Sequence, residues 1–131
     1  MPTPIAVAHQ FYDALSGADA TALLGLLTDD FEGLVSTGMP HGVGGPHHGR
    51  EDMLGVWGTI GALYDVAVEP SEFLAVSDDR VVVVGTYRGA ARDGDAVVDA
   101  VFAHVITTRG EQMAALQQIT DTARWGFEQP R

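Results

Sequence analysis

The chain of 131 residues contains no cysteine, no lysine and no asparagine. Without cysteine there are no disulfides and no thiol chemistry, although that absence does not by itself decide the compartment. Without lysine, arginine alone stands against 18 acidic residues, and the resulting formal charge of -11 repels phosphate backbones, which argues against DNA or RNA as a partner. The apolar residues are broken up by charges and glycines, so no run approaches the roughly 20 residues of a membrane span. The start, Met1-Pro2-Thr3-Pro4-Ile5, lacks the basic and apolar segments of a secretory signal, so residence in the cytoplasm, with no membrane partner, is the expectation. The missing lysine and asparagine, beside abundant alanine, glycine, valine and arginine, fit the codon usage of a GC-rich genome and carry no chemistry.

What is present suits one globular domain over 1–131: 46% of the residues are hydrophobic, enough at this length for a real core. Thr3 can cap a helix with Pro4 at its first position, and Ile5, Ala8, Tyr12 and Leu15 then share a face until Gly17. Asp19 suits the cap of a second, shorter helix carrying Leu23, Leu24 and Leu27 and closed by Thr28-Asp29-Asp30. Phe31 to Thr37 predicts a short strand, and the stretch from Gly38 to Gly49 is too rich in glycine and proline for regular structure. From Arg50, Met53, Val56, Trp57, Ile60, Leu63 and Tyr64 recur at offsets of three and four, a third helix in which Gly55, Gly58 and Gly61 would let something pack closely. Beyond it, turn signals at 77–79, 92–95 and 109–111 cut strands of roughly 66–76, 80–91, 96–108 and 112–122, with connections short enough to require antiparallel hairpins. Helices first and a meander afterwards is an α+β order, with the helices covering one face of the sheet.

Several segments in this order carry a family likeness. They are Phe11-Tyr12-Asp13-Ala14-Leu15 with Asp19 after it, Leu27-Thr28-Asp29-Asp30-Phe31, Gly45-Pro46-His47-His48-Gly49-Arg50-Glu51, Phe102-Ala103-His104-Val105 and the closing Asp121-Thr122. Over nearly its whole length the chain thereby resembles the SnoaL-like polyketide cyclases of the nuclear transport factor 2-like superfamily. That resemblance implies a cone-shaped, strongly curved antiparallel sheet wrapped around three N-terminal helices, with a pocket between the third helix and the inner face of the sheet. A fold of this kind supports many unrelated functions and cannot name a reaction. Limonene epoxide hydrolases look similar in layout, but their arginine and two aspartates would match Gly85, Tyr87 and Gln118, so their way of activating water is missing. Ketosteroid isomerases look similar over the first two helices, but their tyrosine and aspartate would match Phe11 and about Val35. The SnoaL-type cyclases would place an aspartate base at Gln118 and a histidine at His104, and here only the histidine is retained.

Alternation along the third strand of the meander puts Phe102 and His104 on one face and Val101, Ala103 and Val105 on the other. If that face is the pocket, His104 is the side chain there whose ordinary pKa suits proton transfer near neutrality. Gln118, on the neighbouring strand, should face the same cavity, where an amide can orient an oxygen but cannot take a proton. Tyr87 on the central strand could donate a hydrogen bond to developing negative charge. Trp57, Met53, Tyr12 and Phe102 form an apolar set able to grip a flat ligand, or simply core. Asp121 has the opposite parity to Gln118 and suits a structural role, and Asp99 likewise points away from His104. His41, His47 and His48 lack the spacing of a metal site. They suit a flexible rim over the cavity, with His48 as a ligand contact.

Two functions follow as expectations. The first is an enzyme of secondary metabolism, a polyketide-type cyclase, isomerase or dehydratase acting on an apolar carbonyl compound. It would use His104 as the acid–base group with Tyr87 and Gln118 orienting oxygen, and would need no cofactor and no metal. The second is a non-catalytic binding protein for a small hydrophobic molecule, since the usual carboxylates are absent. A homodimer is expected through the outer sheet face around Val82, Val84 and Val98, a patch larger than soluble monomers usually expose.

Overall fold

A computed structural model describes residues 3–125; the remainder of the expected domain, residues 1, 2 and 126–131, lies outside them. Helix α1 (Pro4–Ser16) begins where Thr3 Oγ1 accepts the Ala6 amide at 3.1 Å, with Pro4 in the first turn where its missing N–H costs nothing. Asp19 caps α2 (Ala20–Leu26) in the same manner, accepting from Ala22 at 3.0 Å. The third helix, α3 (Arg50–Leu63), follows Gly49 at φ +87, a backbone conformation suited to glycine.

Six strands complete the fold: β1 (Leu27–Val35), β2 (Gly45–His48), β3 (Tyr64–Ser77), β4 (Arg80–Ala91), β5 (Val97–Arg109) and β6 (Gln112–Thr120). They form one open, mixed sheet in the order β2-β1-β6-β5-β4-β3. The meander β3 to β6 is antiparallel throughout, as its tight turns require. Of the two remaining joins, β1 with β2 is antiparallel and β1 with β6 is parallel, Val35 opposite Gln118 and Leu27 opposite Met113. Irregular register at Pro70/Glu72, Ala75/Ser77 and Thr107/Thr108 bends the strands, and Pro70 is tolerated because β3 is an edge.

Three local expectations are corrected. Leu27 to Asp30 does not close α2 but opens β1, since pairing with β6 gives Leu27 a fully buried site that a helix end would not. Gly45–His48 is strand rather than loop, because its backbone groups are satisfied by Glu32–Val35 across the chain. The glycines of α3 admit no close neighbour; a Cβ at Gly55, Gly58 or Gly61 would meet nothing within 4 Å. Gly58 and Gly61 instead border open cavity.

The core lies between the helices and the inner sheet face, where Val7, Phe11, Phe31, Val81, Val83, Val98, Ile106 and Met113 are buried almost completely. Val98 therefore does not belong to the outer face: it shares the parity of Phe102 and His104 and points inward, whereas Val97 and Val101 are 64% and 63% exposed.

Candidate functional site

The inner face of the sheet and α3 enclose a cavity of about 540 Å³, a size suited to a small organic ligand. Met53, Val56, Trp57 and Ile60 line it from α3, Phe11 and Leu15 from α1, and Val35, Tyr64, Leu116 and Trp125 from the sheet side and the short 3-10 turn Thr122–Trp125. Phe11 and Trp57 stand with ring centroids 5.3 Å apart, so the wall is aromatic as well as aliphatic.

Into this apolar wall the sheet inserts a continuous polar chain. His104 on β5 is directly opposite Gln118 on β6. Its Nε2 lies 2.6 Å from Tyr87 Oη on β4, and its Nδ1 lies 2.8 Å from Tyr12 Oη on α1. The Gln118 Nε2 amide donates to Tyr87 Oη at 3.3 Å, and Gln118 Oε1 accepts the Ser36 backbone N–H at 3.1 Å. Ser36 also donates its hydroxyl to the Gln118 backbone carbonyl at 2.9 Å. Two elements, β4 and α1, thus converge on one imidazole, and β6 joins them through Tyr87. Phe102 stacks on that ring, centroids 4.1 Å apart, and holds it from behind.

Burial sets the ionisation of this group. His104 is 3% exposed, and desolvation pushes its pKa down to about 3, because the charged ring would lose water and gain no carboxylate. Desolvation raises both tyrosines, Tyr12 with a further contribution from Tyr87, and at Tyr87 the Gln118 hydrogen bond opposes the rise. Near neutral pH the array is therefore uncharged and rich in O–H and N–H groups. The expectation of a histidine titrating near neutrality is corrected by this loss of solvation.

Of the residues singled out in the sequence, His104, Tyr87, Gln118, Trp57 and Met53 line the cavity. Tyr12 and Phe102 do not, because each packs against the His104 ring as support rather than as wall. His48 is also absent from the wall; its Nδ1 meets Glu32 at 2.6 Å on the exposed surface of β1 and β2. The other two histidines of the 38–49 stretch have separate partners, His41 with Tyr64 Oη at 3.2 Å and His47 on β2 with Asp52 at 2.9 Å and the Val43 carbonyl at 2.6 Å. Among the described residues no group of three or more acidic, histidine or cysteine side chains is placed to hold a metal, and no helix is long and apolar enough to cross a membrane.

The positions that would correspond to catalytic residues of other enzymes also have physical reasons for the residues they carry. Phe11, Val35, Tyr87 and Gln118 all line the cavity. A Cβ at Gly85 would run into the Glu69 carbonyl and the Phe102 ring, so no arginine could be carried there. Asp121 accepts from the Ala123 amide at 3.2 Å and starts the turn that delivers Trp125, while Asp99 faces outward and pairs with Arg124 at 3.3 Å. Sequence reasoning missed Asp65, Arg92, Ser36, Tyr64 and Trp125. Asp65 is the one carboxylate, and Arg92 the one arginine, among the described residues that line the cavity.

A family model described as a SnoaL-like domain matches residues 8–116. No curated protein matches the chain. Among solved structures, an NTF2-like protein of unknown function from Burkholderia pseudomallei is 26% identical with a TM-score of 0.83, 94% of each chain being covered. IdmH of Streptomyces antibioticus, a proposed polyketide cyclase, superposes with a TM-score of 0.81 at 18% identity over 95% of this chain and 96% of its own. TerC, co-crystallised with polyporic acid, gives a TM-score of 0.79 at 24% identity over 92% of each. At such identities the last two speak to the fold.

Proposed function

The chain belongs to the SnoaL-like domain family, and on that premise we propose that it is a cofactor-independent enzyme of secondary metabolism, a polyketide-type cyclase, isomerase or dehydratase acting on an apolar carbonyl compound. The observation that carries this reading is the buried chain Tyr12–His104–Tyr87–Gln118 set in the wall of an otherwise apolar cavity. A carbonyl oxygen seated there gains negative charge as a neighbouring carbon is deprotonated or as the carbonyl is attacked. Preorganised neutral donors in a site poor in water stabilise that charge, at roughly 100- to 1,000-fold in rate per donor. His104 acts in its neutral form, passing hydrogen-bond polarity between two phenols rather than storing a proton. Asp65, exposed at the cavity wall, is the carboxylate able to accept a carbon-bound proton.

Disrupting the gene tests the reading: an open-chain, carbonyl-rich or hydrated precursor should accumulate, the wild-type gene should clear it, and Tyr87→Phe should not. Tight binding of such a compound with no conversion would instead assign the chain to the binding-protein class, which the absence of a carboxylate beside His104 favours.

A homodimer in the cytoplasm completes the proposal. Leu34, Ile119, Val101 and Val97 share the outer face of β1, β6 and β5 and are 43%, 47%, 63% and 64% exposed, with Val82 and Val84 half-buried beside them. Val101→Asp should convert a dimer into a monomer in light scattering, and a wild-type monomer at micromolar concentration would remove this part.

A further inference from the structure

The direction of the hydrogen bonds around His104 follows from one backbone amide. The Ser36 N–H can only donate, so the Gln118 atom that meets it is the carbonyl oxygen, and the atom turned toward Tyr87 is the NH₂. Tyr87 Oη therefore accepts from Gln118. Neutral His104 carries one ring proton, which leaves two arrangements. In the first, Tyr87 donates to Nε2 and the Nδ1 proton is given to Tyr12. Tyr12 O–H is then a donor without an acceptor, since its sole partner among the described residues is His104. Tyr12 is 4% exposed and does not line the cavity, so neither solvent nor ligand can relieve it. In the second, Tyr12 donates to Nδ1 and the Nε2 proton is given to Tyr87. The unspent donor is now Tyr87 O–H, and Tyr87 does line the cavity. An unpaired buried donor carries its full desolvation cost, so the arrangement that leaves the spare proton where a ligand can accept it is the stable one.

We infer that His104 rests as the tautomer protonated at Nε2, with Tyr12 donating to Nδ1, so that Tyr87 keeps its own proton for an acceptor oxygen of the ligand. Tyr12 is then a positioning residue: it touches no ligand, yet it sets which way the chain points. Remove its hydroxyl and Nδ1 loses its donor. The array then pairs more of its groups by turning round, with Tyr87 donating to Nε2, and the cavity loses its donor to ligand. The inference rests on the carbonyl-site reading above for its consequence but not for its test.

The test uses the full chain labelled with ¹⁵N, with the His104 ring nitrogens assigned by their loss in His104→Gln. Long-range proton–nitrogen correlation near neutral pH should show Nε2 protonated and Nδ1 bare. A proton on Nδ1, or an even mixture of tautomers, overturns the inference without any ligand being added. The second arm compares 9-fluorenone with fluorene, which share an apolar body and differ by one carbonyl. Wild type should prefer the ketone by about tenfold, the scale of one hydrogen bond, and Tyr12→Phe should erase that preference while fluorene binds as before. An undiminished preference in Tyr12→Phe overturns the positioning role. If wild type shows no preference although Nε2 is protonated, the tautomer stands and the carbonyl-site reading falls.

Discussion

Two of this protein's histidines show how far surroundings govern one side chain. His104 sits in the inner face of β5 between two phenols, and burial drives it toward the neutral ring, its pKa down to about 3. His47 sits on β2 between the Asp52 carboxylate and the Val43 carbonyl, two acceptors that demand a proton on each nitrogen. There burial also opposes the charge, but the Asp52 hydrogen bond, the Val43 carbonyl and the Asp52 charge together outweigh it and raise the pKa. The difference is the charge of the partners. Phenols and an amide favour a neutral ring suited to polarising an uncharged ligand, whereas a carboxylate favours the protonated ring, here tied to the Val43 carbonyl.

Breaking the interior array should have the largest effect. His104→Gln preserves much of the shape but not the two-sided relay, and turnover of a carbonyl substrate should fall roughly 100-fold, the scale of losing one preorganised donor to developing negative charge, with the fold intact by circular dichroism. Full turnover would take His104 out of the chemistry. His104→Leu goes further, stranding the buried Tyr12 hydroxyl and leaving Tyr87 with Gln118 alone, at about 1–3 kcal/mol for an unmet buried group, and denaturant unfolding should register about 2 kcal/mol or more of lost stability. Next in size is the cavity wall: Trp57→Ala should weaken binding of a hydrophobic dye about tenfold, as expected for exposing an indole's share of the wall, and unchanged affinity in a folded variant would remove Trp57 from the ligand site.

The His47–Asp52 contact gives the smallest effect, with a definite sign. Because the folded pKa of His47 is raised, its contribution to stability is fully present below the ordinary histidine value of about 6.5 and is lost as pH rises through the folded value. Asp52, lowered by its hydrogen bond to His47, works in the opposite sense and loses its contribution as pH falls through its own folded value. The melting temperature of wild type should therefore decline by at most about 4 °C as pH rises through the His47 transition, the scale of a screened pair. His47→Gln should flatten that decline, and an identical decline in the variant would show that the contact contributes nothing.

Much of the interior was legible because it is written in strand parity and short turns. Alternation placed Phe102 and His104 on one face, and the turn at 109–111 made Gln118 their neighbour, which the register His104↔Gln118 makes literal. The same parity, applied to Val98, would have put it inside; it was misread as outer surface. What could not be read depends on partners distant in sequence. The parallel contact of β1 with β6 turned Leu27–Asp30 from a helix end into strand, and antiparallel pairing with Glu32–Val35 made Gly45–His48 a strand. The orienting role of Ser36 resides in its backbone N–H and has no residue signature. Trp125 follows the last strand, where no periodicity remains to place it, and reaches the cavity through the turn that Asp121 caps. The ionisation of His104 was hidden for the same reason, since burial depends on all the elements that close over a residue.

The most direct measurement is a proton NMR titration of all five histidines together, from about pH 5 to pH 8, the range in which an unperturbed imidazole changes charge. The His104 resonances, identified by their loss in His104→Gln, should stay fixed across the whole range, while those of His47 move with a midpoint above the ordinary value. A His104 midpoint near 6.5 would contradict the neutral array and return the site to a conventional, titrating histidine base.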